Sequence, residues 1–312
     1  MSIAQRYKEI FSYEILDRSK GVIFSFSPLA DKWIYKPFSH GISDDAVEQL
    51  SELMRINLFF YSYGEDEIVD YYERDRFSSL EKAAKYAYRN RLPKRPEIKD
   101  GLPGEALLDL LVQLYNPSAY KLAVRTIFRQ DDNSEIKGYD LTYFTRDDNG
   151  ISLWLGQAKL GGKDYCKSGI NSDLLEKFKS EYLSKQLFFV SDKRISLTSD
   201  AKAILEAIEE VNILSMEDDD ADRARKLLRH FRDNSIAIKI PCLLAYGQET
   251  VYKEAAQLYS KITAEAETIR DYFIKHTYLF EGFSPEIIFY IFPIESIERL
   301  RDKETGFYAG LC

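Results

Sequence analysis

The sequence has 312 residues, of which 45% are hydrophobic and 30% are charged, as expected for an ordinary globular protein with a substantial core. It contains neither the run of ~20 apolar residues that a membrane span needs nor the apolar N-terminal run of a signal peptide, so we expect a cytoplasmic protein that does not enter a membrane. A formal charge of -8 argues against binding of nucleic acid through a strongly basic surface alone, because neutralisation of phosphates is the main source of affinity.

The N-terminal part of the chain has the patterns of short strands followed by helices. Two runs are strand-like, FSYEIL (11–16) and GVIFSFSP (21–28). Ser43 heads the first predicted helix, and Ser78 with Glu81 forms the capping box of the second.

A change of composition then divides the chain. The segment 92–104 contains three prolines and two glycines, which predicts a linker. We therefore predict an N-terminal α+β region, residues 1–100, and a second unit, residues 101–312. The N-terminal region is a candidate surface for binding a partner.

After the linker, helical and strand-like patterns alternate. The helix GEALLDLLVQLY begins near Pro103 and ends at Asn116. The patterns that follow are three strands (120–129, 138–146 and 151–160), a glycine-rich loop (161–169), a helix (171–186), two helices within 199–234, a strand (236–246), a helix (252–276), a strand (286–294) and a short helix. This order predicts an α/β fold with a mixed central sheet flanked by helices.

Two polar residues replace apolar ones near the end of the third of these strands. Side chains alternate between the two faces of a strand, so Gln157 and Lys159 share a face with Leu153 and Leu155. A face that changes from apolar to polar leaves the core. We expect Gln157 and Lys159 to line a cleft.

The turn between the second and third strands extends this prediction to an acidic residue. The sequence DDNG at 147–150 predicts a hairpin. An even-length loop there places Asp140 opposite Gln157 or Lys159, with the facing Cβ atoms ~5 Å apart, whereas an odd-length loop or a bulge would not. Glu105, in the first turn of the preceding helix, reaches the same end of the sheet if that helix packs against it.

These residue types suit metal-dependent cleavage of a phosphodiester. Carboxylate and amide oxygens, as in Glu105, Asp140 and Gln157, are ligands that Mg²⁺ or Mn²⁺ prefers. The ammonium of Lys159 would stabilise the charge that develops on the phosphorus group. The three cysteines and three histidines are too scattered for a zinc site.

A purely structural interpretation of the same residues stays open. Asp140 is close to a turn, and Glu105 carries a charge that is favourable at a helix N-terminus. Gln157 and Lys159 also suit an exposed strand face. The spacing of these residues does not by itself separate the two interpretations.

The order of the motifs carries a resemblance to a known family. The chain contains, in this order, GEALLDLLVQLY, KGYD, LWLGQAKL, IPCLLAYG and IIFYIFPIES. Across residues 104–296 these segments resemble HamA, the family of nuclease subunits of the Hachiman anti-phage defence system, its relative AbpA, and the wider PD-(D/E)XK nuclease superfamily. The resemblance implies a restriction-endonuclease-like core in which Asp140 and Gln157 bind metal. It further implies that Lys159 is the catalytic lysine and that Glu105 completes the acidic set.

The resemblance also implies a partner. A helicase subunit, HamB, would recognise or process DNA and control the nuclease, which would explain how an acidic chain reaches DNA. One position departs from the pattern, because Gln157 stands where glutamate is more usual and keeps the oxygen ligand without its charge. Two hypotheses follow: a metal-dependent DNA nuclease under helicase control, or a catalytically inactive nuclease-fold subunit that binds DNA or regulates its partner.

Overall fold

A mixed β-sheet forms the centre of the molecule in the computed structural model, which describes residues 2–92, 101–124, 138–148, 150–193 and 197–311. The strands of the described residues are β1 (Ile23–Ser25), β2 (Leu29–Ala30), β3 (Ile34–His40), β4 (Tyr120–Lys121), β5 (Leu141–Asp147), β6 (Gly150–Gly161), β7 (Ile236–Gly247) and β8 (Glu286–Ile294). Their order across the sheet is β1-β3-β8-β7-β6-β5-β4, and β2 pairs with β3.

Helices cover both faces of this sheet. Their bounds are α1 (Ile3–Phe11), α2 (Asp17–Ser19), α3 (Ala46–Ser62), α4 (Glu65–Glu73), α5 (Leu80–Asn90), α6 (Leu102–Tyr115), α7 (Lys163–Glu176), α8 (Ser180–Ser191), α9 (Ser199–Leu214), α10 (Asp220–Asp233), α11 (Glu249–Tyr252), α12 (Leu258–Phe273) and α13 (Ile297–Leu300). A π-helical turn, Ser12–Leu16, joins α1 to α2, and a 3₁₀ turn, Ala255–Gln257, precedes α12. The predicted α/β class with a mixed, helix-flanked sheet is confirmed. Whether this core is of the PD-(D/E)XK type stays a prediction.

The strand directions explain the sequence patterns. Strands β3, β8, β7 and β6 run parallel to one another, whereas β5 is antiparallel to β6. Parallel strands with both faces covered need apolar side chains on both faces. Accordingly, β7 and β8 are almost continuously apolar and buried.

Two separate hydrophobic cores lie on the two faces of the sheet. The core on one face contains side chains from α3 and α6, and we call it the helix-α6 face. The core on the other face contains side chains from α7 and α12, and we call it the helix-α7 face. Strand β6 contributes Leu160 to the helix-α6 face, and Leu153 and Leu155 to the helix-α7 face.

The N-terminal region belongs to the same sheet as the rest of the chain. Strand β3 pairs in parallel with β8, from Ile34 with Ile288 to Pro37 with Ile291. Side chains from before and after residue 100 share the core of the helix-α6 face. The division into residues 1–100 and 101–312 stays a prediction, and most of the predicted linker lies outside the described residues.

Two local predictions gave the wrong type of element, and the single helix predicted over 171–186 is two helices, α7 and α8. The run FSYEIL is helical, because Phe11 and Ile15 are buried four residues apart whereas Tyr13 between them is 70% exposed. Alternation of a strand would have buried Tyr13 together with them. The glycine-rich run 161–169 belongs largely to α7, and its Cys166 packs one helical turn before Ile170 in the core of the helix-α7 face.

Smaller differences concern the ends of elements. The helix assigned to Ser43 begins at Ala46, and the cap assigned to Ser78 is formed by Ser79, which accepts a hydrogen bond from the Lys82 amide. Of the strand predicted over 120–129, only Tyr120–Lys121 form a strand, β4, whereas residues 122–124 do not, and residues 125–129 lie outside the described part. Within the described ranges, the longest apolar helices are too short or too polar to cross a membrane.

Candidate active site

The hairpin of β5 and β6 has one of the two registers that the sequence allowed. Leu141 pairs with Gly156 and Asp147 pairs with Gly150, so the turn has an even number of residues. Asp140 precedes β5 and donates its amide hydrogen to the carbonyl of Gly156 at 2.9 Å. In this register Asp140 lies opposite Gln157, which confirms the predicted pairing.

Asp140 lies where β6 continues beyond its pairing with β5. Its Oδ2 accepts a hydrogen bond from the Ala158 amide at 2.8 Å. The carboxylate therefore accepts the hydrogen bond that a backbone carbonyl of a neighbouring strand would accept in a regular sheet. Asp140 is half-buried, and its negative charge acts on Lys159.

Gln157 points into the helix-α7 face and is completely buried. Its Oε1 accepts a hydrogen bond from the Nζ of Lys177 at 2.6 Å. Its Nε2 is buried without a hydrogen-bond partner among the described residues. Gln157 therefore lies neither on an exposed strand face nor in an open cleft, and both predictions of its exposure were wrong.

Lys159 lies on the same face and is partly exposed. Its stem packs against Gly169, and its ammonium pairs with Asp173. A Cβ atom added to Gly169 of α7 would lie 2.8 Å from Cε and 3.0 Å from Cδ of Lys159, so the glycine leaves room for the lysine stem. The Nζ contacts Oδ2 of Asp173 at 2.5 Å, and the side chain keeps 18% of its exposure. Burial opposes the charge of Lys159, but Asp173 and Asp140 outweigh burial and raise its pKa above the ordinary value.

Sequence reasoning missed two residues of this cluster. Asp173 is buried in the last turn of α7, and Lys177 follows as the C-terminal cap of that helix. The Nζ of Lys177 lies 3.1 Å from Oδ1 of Asp173, so one carboxylate bridges Lys159 and Lys177. The available signal was an acidic residue between the apolar Ile170 and Leu174 on the buried side of a helix. It was missed because the first turns of α7 were assigned to the glycine-rich loop, so the buried side of this helix was not recognised.

Glu105 lies in the first turn of α6, on the other face of β6. A Cβ atom added to the neighbouring Gly104 would lie 3.1 Å from Cβ of Leu160 and 3.8 Å from Cβ of Ala158. Both residues point away from the helix-α7 face. Glu105 is 5% exposed and accepts a hydrogen bond from the hydroxyl of Tyr61 at 2.7 Å. The structure thus brings Asp140, Gln157 and Lys159 together and holds Glu105 at the same end of β6 on the opposite side.

The oxygen atoms of the site suit a cation. Asp140 supplies a carboxylate and Gln157 an amide oxygen, and such hard oxygens suit Mg²⁺ or Mn²⁺. The Gln157 oxygen already accepts a hydrogen bond from a positive charge, the ammonium of Lys177. Among the described residues, no three His, Cys, Asp or Glu side chains are grouped for metal binding. An ion held by Asp140 and Gln157 alone would have to keep several waters, as Mg²⁺ can.

A second polar cluster lies in the core of the helix-α6 face. The carboxylate of Asp109, which is 3% exposed, accepts hydrogen bonds from Asn57 at 2.9 Å, Gln113 at 2.8 Å and Tyr143 at 2.6 Å. All three donors are neutral side chains. Burial is the largest cause that raises the pKa of both phenols, Tyr7 and Tyr143, well above the ordinary value. Negative charges raise it further, those of Glu65 and Asp109 for Tyr7 and that of Asp109 for Tyr143. This cluster is closed from solvent and has a structural role.

Comparison with models of protein families identifies a family for this chain. The sequence model of the HamA family matches residues 23–311. This range contains every residue of the candidate site and confirms the resemblance to that family indicated by the motifs. A search of curated proteins gives no match.

Proposed function

The chain belongs to the HamA family, and from this membership and the geometry of the site we propose that it is a metal-dependent nuclease that hydrolyses phosphodiester bonds of DNA. Membership in this family indicates a role in the Hachiman anti-phage defence system. The observation that carries the nuclease proposal is the grouping of Asp140, Gln157 and Lys159 at the open end of the hairpin of β5 and β6, where the Lys159 side chain keeps 18% of its exposure and Gln157 is buried.

Each residue has a distinct part in the proposed reaction. Asp140 and Gln157 would hold the metal, with Glu105 completing the acidic set as the family resemblance implies. When bound, Mg²⁺ or Mn²⁺ supplies positive charge to the phosphate and activates water. The ammonium of Lys159 donates hydrogen bonds to the phosphate oxygens and stabilises the charge that they gain in the transition state.

Asp140 also fixes the geometry of the hairpin end. Its carboxylate accepts the amide hydrogen of Ala158, the residue between Gln157 and Lys159. This contact sets the position of the backbone from which both side chains project. A substrate phosphate bound there would meet side chains held on a strand, which is more rigid than a loop.

Glu105 is the proposed ligand with the least support from geometry. Its helix packs on the helix-α6 face, and its carboxylate is bound by Tyr61. To bind the same metal as Asp140 and Gln157, the Glu105 carboxylate would have to reach past the end of β6 from the helix-α6 face. An alternative role at the same place is to hold Tyr61 and the first turn of α6 in position.

The charge of the chain supports a partner for DNA binding. A protein with a net charge of -8 has a weak general attraction for phosphate. We propose that a helicase subunit resembling HamB delivers the DNA and controls cleavage. The N-terminal region, residues 1–100, is the proposed contact surface for this partner.

A second function is favoured by one observation. Gln157 replaces the more usual glutamate, and Lys177 holds its oxygen. This arrangement suits an inactive nuclease-fold subunit that binds DNA or regulates its partner. Such a subunit would keep the fold and lose the metal.

Cleavage of DNA by the purified chain distinguishes these functions. Single-stranded and duplex DNA would be incubated with the chain, with and without its helicase subunit, in Mg²⁺, in Mn²⁺ and in EDTA. The nuclease proposal predicts cleavage in either metal and none in EDTA. Intact DNA under all conditions, with both subunits present, would rule out the nuclease and leave the regulatory subunit.

A further inference from the structure

Lys177 extends from the protein surface to the buried amide of Gln157. Its side chain is 25% exposed, whereas Gln157 is completely buried. The contact between Nζ and Oε1 measures 2.6 Å. A lysine that buries its ammonium against an amide oxygen gives up hydration, so this contact has to be held in place by its surroundings.

The backbone of Lys177 is fixed on both sides. Its amide donates to the carbonyl of Asp173 at 2.9 Å, and its carbonyl accepts the hydroxyl hydrogen of Tyr139 at 2.8 Å. Tyr139 directly precedes Asp140 in the chain. The root of the lysine side chain is thereby tied to the same hairpin end that carries Asp140.

Asp173 is a second partner for the ammonium of Lys177. Its carboxylate contacts Lys177 through Oδ1 and Lys159 through Oδ2. Lys177 can therefore leave Gln157 and keep an ionic partner. Lys159 does not depend on this movement, because its own contact is with the other oxygen.

An ammonium and a divalent metal compete for the same oxygen. Both are cations that bind a carbonyl lone pair, and two cations a few ångströms apart repel strongly where water is excluded. We propose that Lys177 is a positioning residue that occupies the metal-binding oxygen of Gln157 and has to withdraw toward Asp173 before Mg²⁺ or Mn²⁺ binds there. This inference rests on the proposed function, since it assigns Gln157 to the metal.

The competition explains why glutamine suits position 157. A glutamate there would form a buried ion pair with Lys177, which is costly to break once formed. The neutral amide of Gln157 holds the ammonium through a hydrogen bond without an opposing full charge. Lys177 is thus held in the metal-free protein and released when a doubly charged ion arrives.

Titration of the full-length chain with Mn²⁺, followed by calorimetry, tests the proposal. Lys177→Met keeps the length of the side chain and removes its charge, so the Kd for Mn²⁺ is expected to fall at least ~10-fold, within the range that residues around metal ligands control. Lys167→Met is the matched control on the same helix, because Lys167 is similarly buried and pairs with Asp164. Its Kd is expected to equal that of the wild-type chain.

A second neutral variant, Lys177→Gln, guards against a folding defect, and thermal unfolding identifies which variants are folded. Folded Lys177 variants whose Kd is equal to or weaker than that of the wild type overturn the proposal. So does the absence of Mn²⁺ binding in the wild-type chain and in both variants.

The same proteins separate this inference from the proposed function. If the wild-type chain cleaves DNA in Mn²⁺ while Lys177→Met binds the ion no more tightly, the role of Lys177 is wrong and the nuclease stands. If Lys177→Met binds Mn²⁺ more tightly while both chains leave DNA intact, the role of Lys177 stands and the nuclease is wrong.

A double-mutant cycle gives an independent test. Gln157→Glu adds a charge that attracts both Lys177 and the metal. In the wild-type background these attractions oppose each other, whereas in the Lys177→Met background only the metal benefits. The fall in Kd caused by Gln157→Glu is expected to be larger in the Lys177→Met background, and equal falls in both backgrounds overturn the proposal.

Discussion

Each face of the central sheet buries an aspartate with several hydrogen-bond donors, and the donors differ in kind. On the helix-α6 face, Asp109 is bound by three neutral side chains deep in the core. On the helix-α7 face, Asp173 is bound by two lysines whose side chains are 18% and 25% exposed. Neutral donors sealed from water fix one arrangement. Two partly exposed ammonium groups share one carboxylate, and the proposed withdrawal of Lys177 depends on this arrangement.

The largest expected effect is on stability, at Asp109. Asp109→Ala leaves three buried donors without their acceptor, so the free energy of unfolding is expected to fall by ~3–5 kcal/mol. Chemical denaturation measures this change. Asp164→Ala is the matched control, because the Asp164 side chain is 95% exposed and its removal is expected to change stability by less than ~0.5 kcal/mol. A loss below ~1 kcal/mol for Asp109→Ala would contradict the structural role.

A smaller effect is expected from His40, a buried polar residue at the end of β3. Its Nε2 accepts the Glu295 amide hydrogen at 2.9 Å and its Nδ1 contacts the Gly41 carbonyl at 2.6 Å, an arrangement that requires the neutral ring. Burial lowers the pKa of His40 to about 4, against opposing contributions from the Gly41 carbonyl and the Glu48 charge.

The lowered pKa of His40 determines how the stability of the protein depends on pH. Between pH 6.5 and about 4 the unfolded chain binds a proton at this position and the folded chain does not. The stability contributed by His40 is therefore complete above pH 6.5 and lost as the pH falls toward 4, by up to ~3 kcal/mol. Denaturation across this range is expected to show a flatter pH dependence in His40→Gln than in the wild type. Parallel curves would show that the pKa of His40 does not differ between the folded and the unfolded chain.

The smallest effect on stability, and a selective one on activity, is expected at Gly169. The Cβ of Gly169→Ala collides with Cε and Cδ of Lys159, a flexible stem that moves aside at little cost. Alanine in a helix is favoured by up to ~1 kcal/mol over glycine, so stability is expected to stay the same or rise. The rate of DNA cleavage is expected to fall at least ~10-fold because Lys159 is displaced.

The matched control for this substitution is at the start of the same helix. A Cβ atom at Gly162 meets no atom within 4 Å, so Gly162→Ala is expected to cleave DNA at the wild-type rate. If Gly169→Ala also keeps the wild-type rate, the position of Lys159 beside Gly169 has no part in the reaction.

The sequence was informative where one local rule decided the geometry. Alternation along β6 and an even-length turn were enough to group Asp140 with Gln157 and Lys159, since both depend only on the period of a strand. Asp173 and Lys177 escaped because the position of α7 over the sheet depends on packing between distant parts of the chain. Glu105 was predicted as a site residue, but its distance along the sequence gives no information about which face of the sheet α6 covers.

The central claim, that the cluster on the helix-α7 face is the reactive site, is tested most directly by the rate of DNA cleavage in Lys159→Met. The control is Lys163→Met, since Lys163 is also partly buried in an ion pair, with Glu265. Initial rates would be measured in Mg²⁺ with the helicase subunit present, after both variants are shown to unfold at the wild-type temperature. The proposed role of Lys159 predicts a loss of at least ~100-fold in Lys159→Met and a rate near that of the wild type in Lys163→Met. Cleavage by Lys159→Met at the wild-type rate would contradict it.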